Sequence, residues 1–418
     1  MTSNREAGGR MKEETGTFIR GAVTGVLAVT VLGCAGYYVR YGEMPFFNDS
    51  VMTGETAAKA VYIENLIEEE YLEEADKEEM ADGMYAGMVA SLGDRYSGYY
   101  TADQYQEVLK SIEGRYQGIG LSMRKNTDTG EVTVEEVYEN SPAKEAGIQA
   151  GDQLYQLDGE SVADMELEDI SQRLQNGEEA TLTLLREGEE EPVQVTVTAG
   201  EVEVPVVSAR MLENQIGYLK IDEFTDGTPE QFSENYQALQ EEGMEGLIID
   251  LRNNPGGLLD AVCDTLEQIL PEGLIVYTED KNGNRVEHSG NGETPIQIPL
   301  VLLVNENSAS AAEIFAGAVK DYEVGTLVGT TTYGKGIVQQ TYQLRDGSAV
   351  KLTIAKYYTP NGVNIHGTGI QPDITVEWPE DQEALASDFD FSQVSESEWL
   401  SQDPQMEKAV EQLTDNMI

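Results

Sequence analysis

From about Glu55 to Leu109 apolar positions recur at helical spacing. Val61, Ile63, Leu66 and Tyr71 fall near one face, and Met84, Met88 and Leu92 follow at four-residue steps, which predicts a small helical module over 41–113. The pattern then changes. Over 114–200, short runs predict a β-rich unit: Leu154 to Leu157 closed by the hairpin dipeptide Asp158-Gly159, then Ala180 to Leu185 and Val193 to Thr198 around a polar turn at Glu187-Gly188. A helix on Leu167, Ile170 and Leu174, ended by Gly177, lies between them. From Ile216 onward, buried strands at Gly246 to Leu251 and Leu300 to Val304 alternate with amphipathic segments carrying Phe232, Tyr236, Leu239 and then Leu259, Val262, Leu266, Ile269. This predicts an α/β domain over 201–380, with Cys263 buried as a small hydrophobe on the second segment. Residues 381–418 turn acidic, and Met406, Val410 and Leu413 predict a tail helix from Asp403 that docks elsewhere on the chain. The fold class is multidomain α+β.

The run Gly21 to Val39 fits none of these patterns. Its 19 uncharged residues would span ~28 Å as a helix, close to the thickness of a bilayer core. Arg5, Arg10, Lys12 and Arg20 precede it, whereas Arg40 is the sole basic residue between 40 and 57. Positive flanks stay in the cytoplasm, so 1–20 is expected to be cytoplasmic, 21–39 a single-pass anchor in the cell membrane, and the remainder extracytoplasmic. A cleaved signal peptide is the first rival, and Val31-Leu32-Gly33-Cys34 loosely resembles a lipoprotein processing site. The run exceeds the apolar core of a signal peptide, which favours the uncleaved anchor.

Charge narrows the function. Lys and Arg total 26 against 77 Asp and Glu, a formal net charge of −51, which disfavours nucleic acid because its binding needs clustered cations. The two cysteines, Cys34 and Cys263, are too few for a disulfide framework, and the two histidines, His288 and His366, make a multi-histidine metal centre unexpected. No metal and no cofactor are predicted.

The densest chemical signal is Val304-Asn305-Glu306-Asn307-Ser308-Ala309-Ser310-Ala311-Ala312-Glu313, where a buried strand meets a helix. Unpaired amides at a helix start favour negative charge, so Ser310 could be a nucleophile whose oxyanion is held by the N–H of Ala311. The plainer reading makes Ser308 or Ser310 an N-cap. A serine needs a base, and no Gly-x-Ser-x-Gly elbow is present to suggest a histidine. Lys335 lies between Gly334 and Gly336, where missing side chains allow close backbone approach. Gln339, four positions on, would share its face in a strand and could orient the amine. A third strand end, Asp250-Leu251-Arg252-Asn253-Asn254-Pro255-Gly256-Gly257, offers Gly256 or Gly257 as a second oxyanion donor, or simply a turn.

In the β-rich unit, Tyr116-Gln117-Gly118-Ile119-Gly120-Leu121, with Ser141-Pro142-Ala143, Ala146-Gly147-Ile148 and Gly151-Asp152, resembles a PDZ domain. The amides of Gly118, Ile119, Gly120 and Leu121 are expected to turn into one concavity that suits a peptide carboxylate. Together with Leu92-Gly93-Asp94-Arg95-Tyr96-Ser97, Tyr358-Thr359-Pro360-Asn361-Gly362 and Gly369-Ile370-Gln371-Pro372-Asp373, the ordered segments resemble the carboxy-terminal processing peptidases, the tail-specific serine proteases. The resemblance covers nearly the whole chain. Ala312 departs where a third serine is frequent, and Arg95 where a proline is common.

That family implies Ser310 as nucleophile, Lys335 as base, Gln339 in support, and Gly256 or Gly257 with Ala311 at the oxyanion. It also implies a crotonase/Clp-like α/β serine protease core, protein or peptide substrates with free C-termini, and a homodimer assembled through helical ends. The expected function is a membrane-anchored endopeptidase of a bacterial cell envelope. A non-catalytic PDZ peptide-binding scaffold is the alternative, and a hydrolase using His366 in Asn364-Ile365-His366-Gly367 is a third, with no activating pattern around that histidine.

Overall fold

The computed structural model describes residues 51–127, 129–177, 179–379 and 395–417. The expected anchor at 21–39 and the start of the acidic tail lie outside them; among the described residues no helix is long and apolar enough to cross a membrane. The chain divides into two compact units between Ala81 and Asp82.

In the first unit, helix Gly54–Glu70 starts at Thr53, whose hydroxyl accepts from Thr56 N while the Thr56 hydroxyl accepts from Thr53 N. The expected helix forms, yet none of its residues is buried: Val61, Ile63 and Leu66 are all exposed. Periodicity predicted a face and left open what covers it.

The second unit is built on a six-stranded sheet ordered Val207–Met211, Ile216–Ile221, Gly246–Asp250, Leu300–Val304, Thr326–Gly329 and Ile374–Thr375, parallel after its first, antiparallel pair. Its strands read as continuous apolar runs because both faces are covered. Leu247, Ile249, Leu300, Leu302 and Leu327 face a core with helices Thr228–Glu241, Leu259–Glu267 and Ala311–Asp321. Ile248, Val301, Leu303 and Val328 face the opposite way, onto Trp399, Met406, Ala409 and Leu413. The tail therefore docks as helices Glu396–Gln402 and Pro404–Asn416, the first of which periodicity did not reveal in so short a segment. Cys263 is buried, which pushes its thiol up to about 12.

A second sheet centres on strand Ala349–Tyr358, which pairs with Ile337–Gln343, Gly273–Asp280 and Gly98–Tyr100. The last of these corrects the reading of 55–109 as purely helical: Gly98 to Tyr100 is a strand made by pairing with Lys351, Val350 and Ala349, and three residues carry no periodicity of their own.

The β-rich unit forms as expected, ordered Leu121–Lys125, Val132–Val137, Gln153–Leu157, Glu179–Leu185, Val193–Thr198, with Asp158 and Gly159 both at positive φ in the tight turn. Leu121–Lys125 is an edge strand, and helix Leu167–Gln175 packs near it.

Candidate active site

Parallel strands end at Asp250 and Val304, side by side, so the loops that follow them meet. Reciprocal amides join the two: Asn253 N donates to Asn305 Oδ1 (2.9 Å) and Asn305 Nδ2 to Asn253 Oδ1 (2.8 Å). Buried Asn254 accepts from Ala309 N through its carbonyl (3.0 Å), donates to Ile221 O (2.8 Å), and takes the N–H of Gly256 on Oδ1 (2.8 Å). None of these asparagines stood out in the sequence, because a lone Asn near a strand end is an ordinary turn residue.

The two serines separate cleanly. Ser308 is fully buried, donates to Leu251 O (2.8 Å) and accepts from Asn305 N (2.9 Å), so its hydroxyl belongs to the loop junction. Ser310 is partly exposed, at φ 54°, immediately before helix Ala311–Asp321. Positive φ is costly for a residue with a Cβ, and such strain is held only where surroundings over-determine it. The surroundings here are explicit: Ser310 N donates to Glu313 Oε2 (2.9 Å), and Ser310 O accepts from the buried Tyr357 hydroxyl (3.1 Å).

Gly256 and Gly257 have different positions. Gly256 (φ 109°) sits against Ser310, since a Cβ there would lie 2.8 Å from Ser310 Cβ and 3.0 Å from Ala311 N. Its amide is committed to Asn254. Gly257 bridges Phe224 in parallel fashion, with Leu258 N donating to Phe224 O (2.7 Å) and Phe224 N to Gly256 O (2.9 Å). In such a bridge the central residue's own amide faces away from its partner. The N–H of Gly257 and the first helical amide, Ala311, are therefore the pair suited to an oxyanion.

Glu313 joins this half of the site to the lysine. The side chain is wholly buried; Oε1 accepts from Thr332 Oγ1 (2.6 Å) and Gly334 N (2.7 Å), and Oε2 accepts from Lys335 N (2.8 Å) as well as from Ser310 N. One carboxylate oxygen thus holds the backbone of both candidate residues. The sequence signal was a glutamate three positions into a buried helix start, which reads as a capping-box partner.

Lys335 sits where backbone packs tightly. A Cβ on Gly334 would lie 2.9 Å from Gly369 N, and one on Gly336 2.6 Å from His366 N. Burial lowers the Lys335 pKa, the Lys351 charge lowers it further, and Glu313 opposes both. Its Nζ lies 5.3 Å from the centroid of the Tyr96 ring. Tyr96 reaches it from the loop preceding strand Gly98–Tyr100. Asp94 shapes that loop, accepting from Tyr96 N (3.0 Å) and Ser97 Oγ (2.6 Å), and the Ser97 hydroxyl holds its carboxyl below the usual range. Arg95 stacks over Tyr96 and Tyr333 and donates to the Tyr333 hydroxyl.

Gln339 lies in strand Ile337–Gln343 but Lys335 precedes it, and a register shift falls between Val338 and Gln339, so strand alternation does not place the two side chains together. Gln339 Nε2 donates instead to Thr353 Oγ1 (3.3 Å), whose backbone N donates to Ser97 Oγ. His366 is exposed and meets Tyr96 edge-on at 6.4 Å.

In the β-rich unit, Gly118, Ile119 and Gly120 are buried and Leu121 half-buried. The Ile119 and Gly120 carbonyls turn inward, accepting from Ala143 N (2.7 Å) and Tyr138 N (3.0 Å).

Among the described residues no cluster of three or more acidic, histidine or cysteine side chains could hold a metal ion.

Three family models match the chain: peptidase family S41 over 215–376, the PDZ domain over 133–186, and the activating protease CtpB N-terminal domain over 45–104. A carboxyl-terminal-processing protease of Synechocystis sp. is 36% identical over 298 residues, 70% of each chain. The carboxy-terminal processing protease CtpA of Bacillus subtilis is 33% identical over 317 residues, 75% of this chain and 67% of its own. Among solved structures, the photosystem II D1 C-terminal processing protease is 27% identical, with 80% of this chain and 90% of that one aligned at a TM-score of 0.46. The chain belongs to peptidase family S41, as a carboxyl-terminal processing serine protease with a PDZ domain.

Proposed function

We propose that this protease cleaves protein substrates with a Ser310/Lys335 dyad, Gln339 supporting the lysine side and the amides of Gly257 and Ala311 stabilising the oxyanion. The observation that carries this reading is the Glu313 carboxylate, whose Oε2 receives the backbone N–H of both Ser310 and Lys335. Neutral Lys335 Nζ takes the proton from Ser310 Oγ as that oxygen attacks the scissile carbonyl carbon. The resulting ammonium returns the proton to the leaving amine, and water then hydrolyses the acyl-enzyme by the same proton route. An ordinary lysine is neutral in only about one molecule in 2500 at pH 7, so the lowering caused by burial is what makes this base usable.

Lys335→Ala and Ser310→Ala are expected to stay folded and lose activity by more than about 10³-fold, while His366→Ala keeps turnover. The opposite pattern would rule out the dyad. Activity requires the neutral amine, so the rate rises as pH rises through the lowered Lys335 pKa. Lys351→Met removes a charge that lowers this pKa, so the pKa rises and the acid limb moves to higher pH.

We further propose that residues 21–39 anchor the protease in a cell membrane with its catalytic part extracytoplasmic, and that the PDZ amides of Gly118 to Leu121 bind the free carboxylate of substrates. A second copy of the chain covers the exposed apolar face of helix Gly54–Glu70. Sedimentation of a Val61→Glu, Leu66→Glu variant should give monomers where the parent gives dimers; a parent that sediments as a monomer removes the dimer.

A further inference from the structure

The last two helices of the chain reach the loop after strand Gly246–Asp250 through a buried arginine. Arg252 folds its guanidinium back on Asp250, with Nε donating to Oδ1 (3.0 Å) and Nη2 to Oδ2 (2.7 Å), and its side chain is 10% exposed. The remaining nitrogen, Nη1, belongs to the tail: it lies 2.8 Å from Asp403 Oδ2 and donates to Gln405 Oε1 (3.2 Å). Asp403 is equally enclosed. Its Oδ1 caps helix Pro404–Asn416, accepting from Gln405 N (3.1 Å) and Met406 N (3.0 Å), and its Oδ2 accepts from Trp399 Nε1 (3.2 Å). The Trp399 ring meets Tyr218 edge-on at 4.8 Å, and the Tyr218 hydroxyl donates to Asp250 Oδ2 (2.9 Å). The tail thus joins a buried ion network with residues 151 positions before it.

We propose that Asp403 is a positioning residue for catalysis: by holding Arg252 from the far side, the docked tail fixes the loop whose amide receives the oxyanion. The proposal rests on the reading of Ser310 as nucleophile with the N–H of Gly257 at the oxyanion. The path between them is short. Arg252 N donates to Asp250 Oδ1 (2.9 Å), and the next residue, Asn253 at φ 62°, gives its N–H to Asn305, so the chain turns here toward Gly256 and Gly257. A buried guanidinium deprived of a carboxylate finds another acceptor or admits water, and either response moves the residue at which this turn begins. Oxyanion donors act on the transition state rather than on bound substrate, and a displacement on the order of 1 Å costs up to about a hundredfold in rate.

The test compares the full-length parent with Asp403→Asn, both assayed well below their melting temperatures. Asparagine caps a helix about as well as aspartate, so Gln405 N and Met406 N keep their acceptor while Arg252 and Trp399 face an NH2 group in place of a carboxylate oxygen. The expected result is a fall in kcat of about tenfold to a hundredfold with KM changing less. Affinity for a peptide boronic acid, whose tetrahedral adduct on Ser310 puts an oxygen at the oxyanion amides, should fall by a similar factor. Adding Gln405→Glu returns a carboxylate to Nη1 and is expected to restore most of the kcat. A lowered melting temperature with parental kcat and boronate affinity makes Asp403 an anchor of the tail alone and overturns the proposal. If Asp403→Asn does not fold, Gln405→Leu, which removes only the neutral acceptor of Nη1, should lower kcat and boronate affinity together severalfold, and parental values overturn the proposal. A boronic acid that binds the parent and Ser310→Ala equally overturns the nucleophile itself, and the proposal with it.

Discussion

Two glycine-bearing loops in this protein look alike in sequence and solve opposite problems. Asn253 to Leu258 in the protease core and Tyr116 to Leu121 in the PDZ domain each turn backbone amides toward a place where negative charge is expected. In the core loop one amide, that of Gly256, is given to Asn254, and the loop is bonded to Ile221, Ala309 and Asn305, so its shape is set before any substrate arrives. In the PDZ loop the inward carbonyls of Ile119 and Gly120 are fixed just as firmly, yet the Gly118 backbone lies under the edge of the Tyr116 ring, a side chain that can turn. Donors for a transition state need preorganisation. A site for a ground-state ligand tolerates a neighbouring side chain that moves, provided the ligand favours the arrangement that admits it.

Substituting the glycines separates the two loops most sharply. Gly256→Ala puts a methyl 2.8 Å from Ser310 Cβ at φ 109°, where both the backbone and Ser310 resist movement. Its kcat is expected to fall by at least about 10²- to 10³-fold. A Gly256→Ala protein with normal kcat would show that the core loop adapts as readily as the PDZ loop.

Glu313→Gln comes next. An amide cannot accept on all the sites that a carboxylate does, so the Ser310 and Lys335 backbones lose part of their common support and kcat is expected to drop about tenfold to a hundredfold, with KM changing less. The charge of Glu313 also holds the Lys335 pKa up against burial. Its removal lets that pKa fall further, so the acid limb of the pH–rate profile moves to lower pH. A limb that stays in place while kcat falls would make Glu313 a purely structural support.

The smallest effect is expected at Gly118. Its backbone is not at positive φ, and the atom an added methyl meets is the edge of a tyrosine ring that can turn away. Gly118→Ala should change stability by no more than about 1 kcal/mol and shift affinity for a free-acid peptide severalfold. Thermal melting and peptide titration check both. A loss of several kcal/mol would mean that the Tyr116 ring is as fixed as the core loop.

Legibility of the site followed the range of the interactions. Ser310, Lys335 and the glycine loops were readable because each lies at a strand end or between glycines, a local feature. Glu313 gave only a capping signal. Tyr96 and Tyr116 gave no sign that they cover Lys335 and Gly118. Gln339 shows the limit of counting along a strand: Lys335 lies before the strand and a bulge interrupts the register, so the four-residue step alone does not fix where the two side chains sit. Strand Gly98–Tyr100 escaped for a related reason, since its hydrogen bonds go to residues about 250 positions away.

By itself the sequence determined the helices, the continuous apolar strands, the Asp158-Gly159 hairpin and the placing of Ser310 before a helix, because each depends on neighbours within a few residues. Tertiary structure alone decided which serine is buried in the loop junction, which amide of Gly256-Gly257 is committed elsewhere, and how one buried carboxylate comes to hold the backbones of Ser310 and Lys335. Those outcomes depend on the meeting of two adjacent parallel strand ends and a third loop. The energies involved belong to groups buried far from their sequence neighbours, and no local pattern records which of the available partners such a group will find.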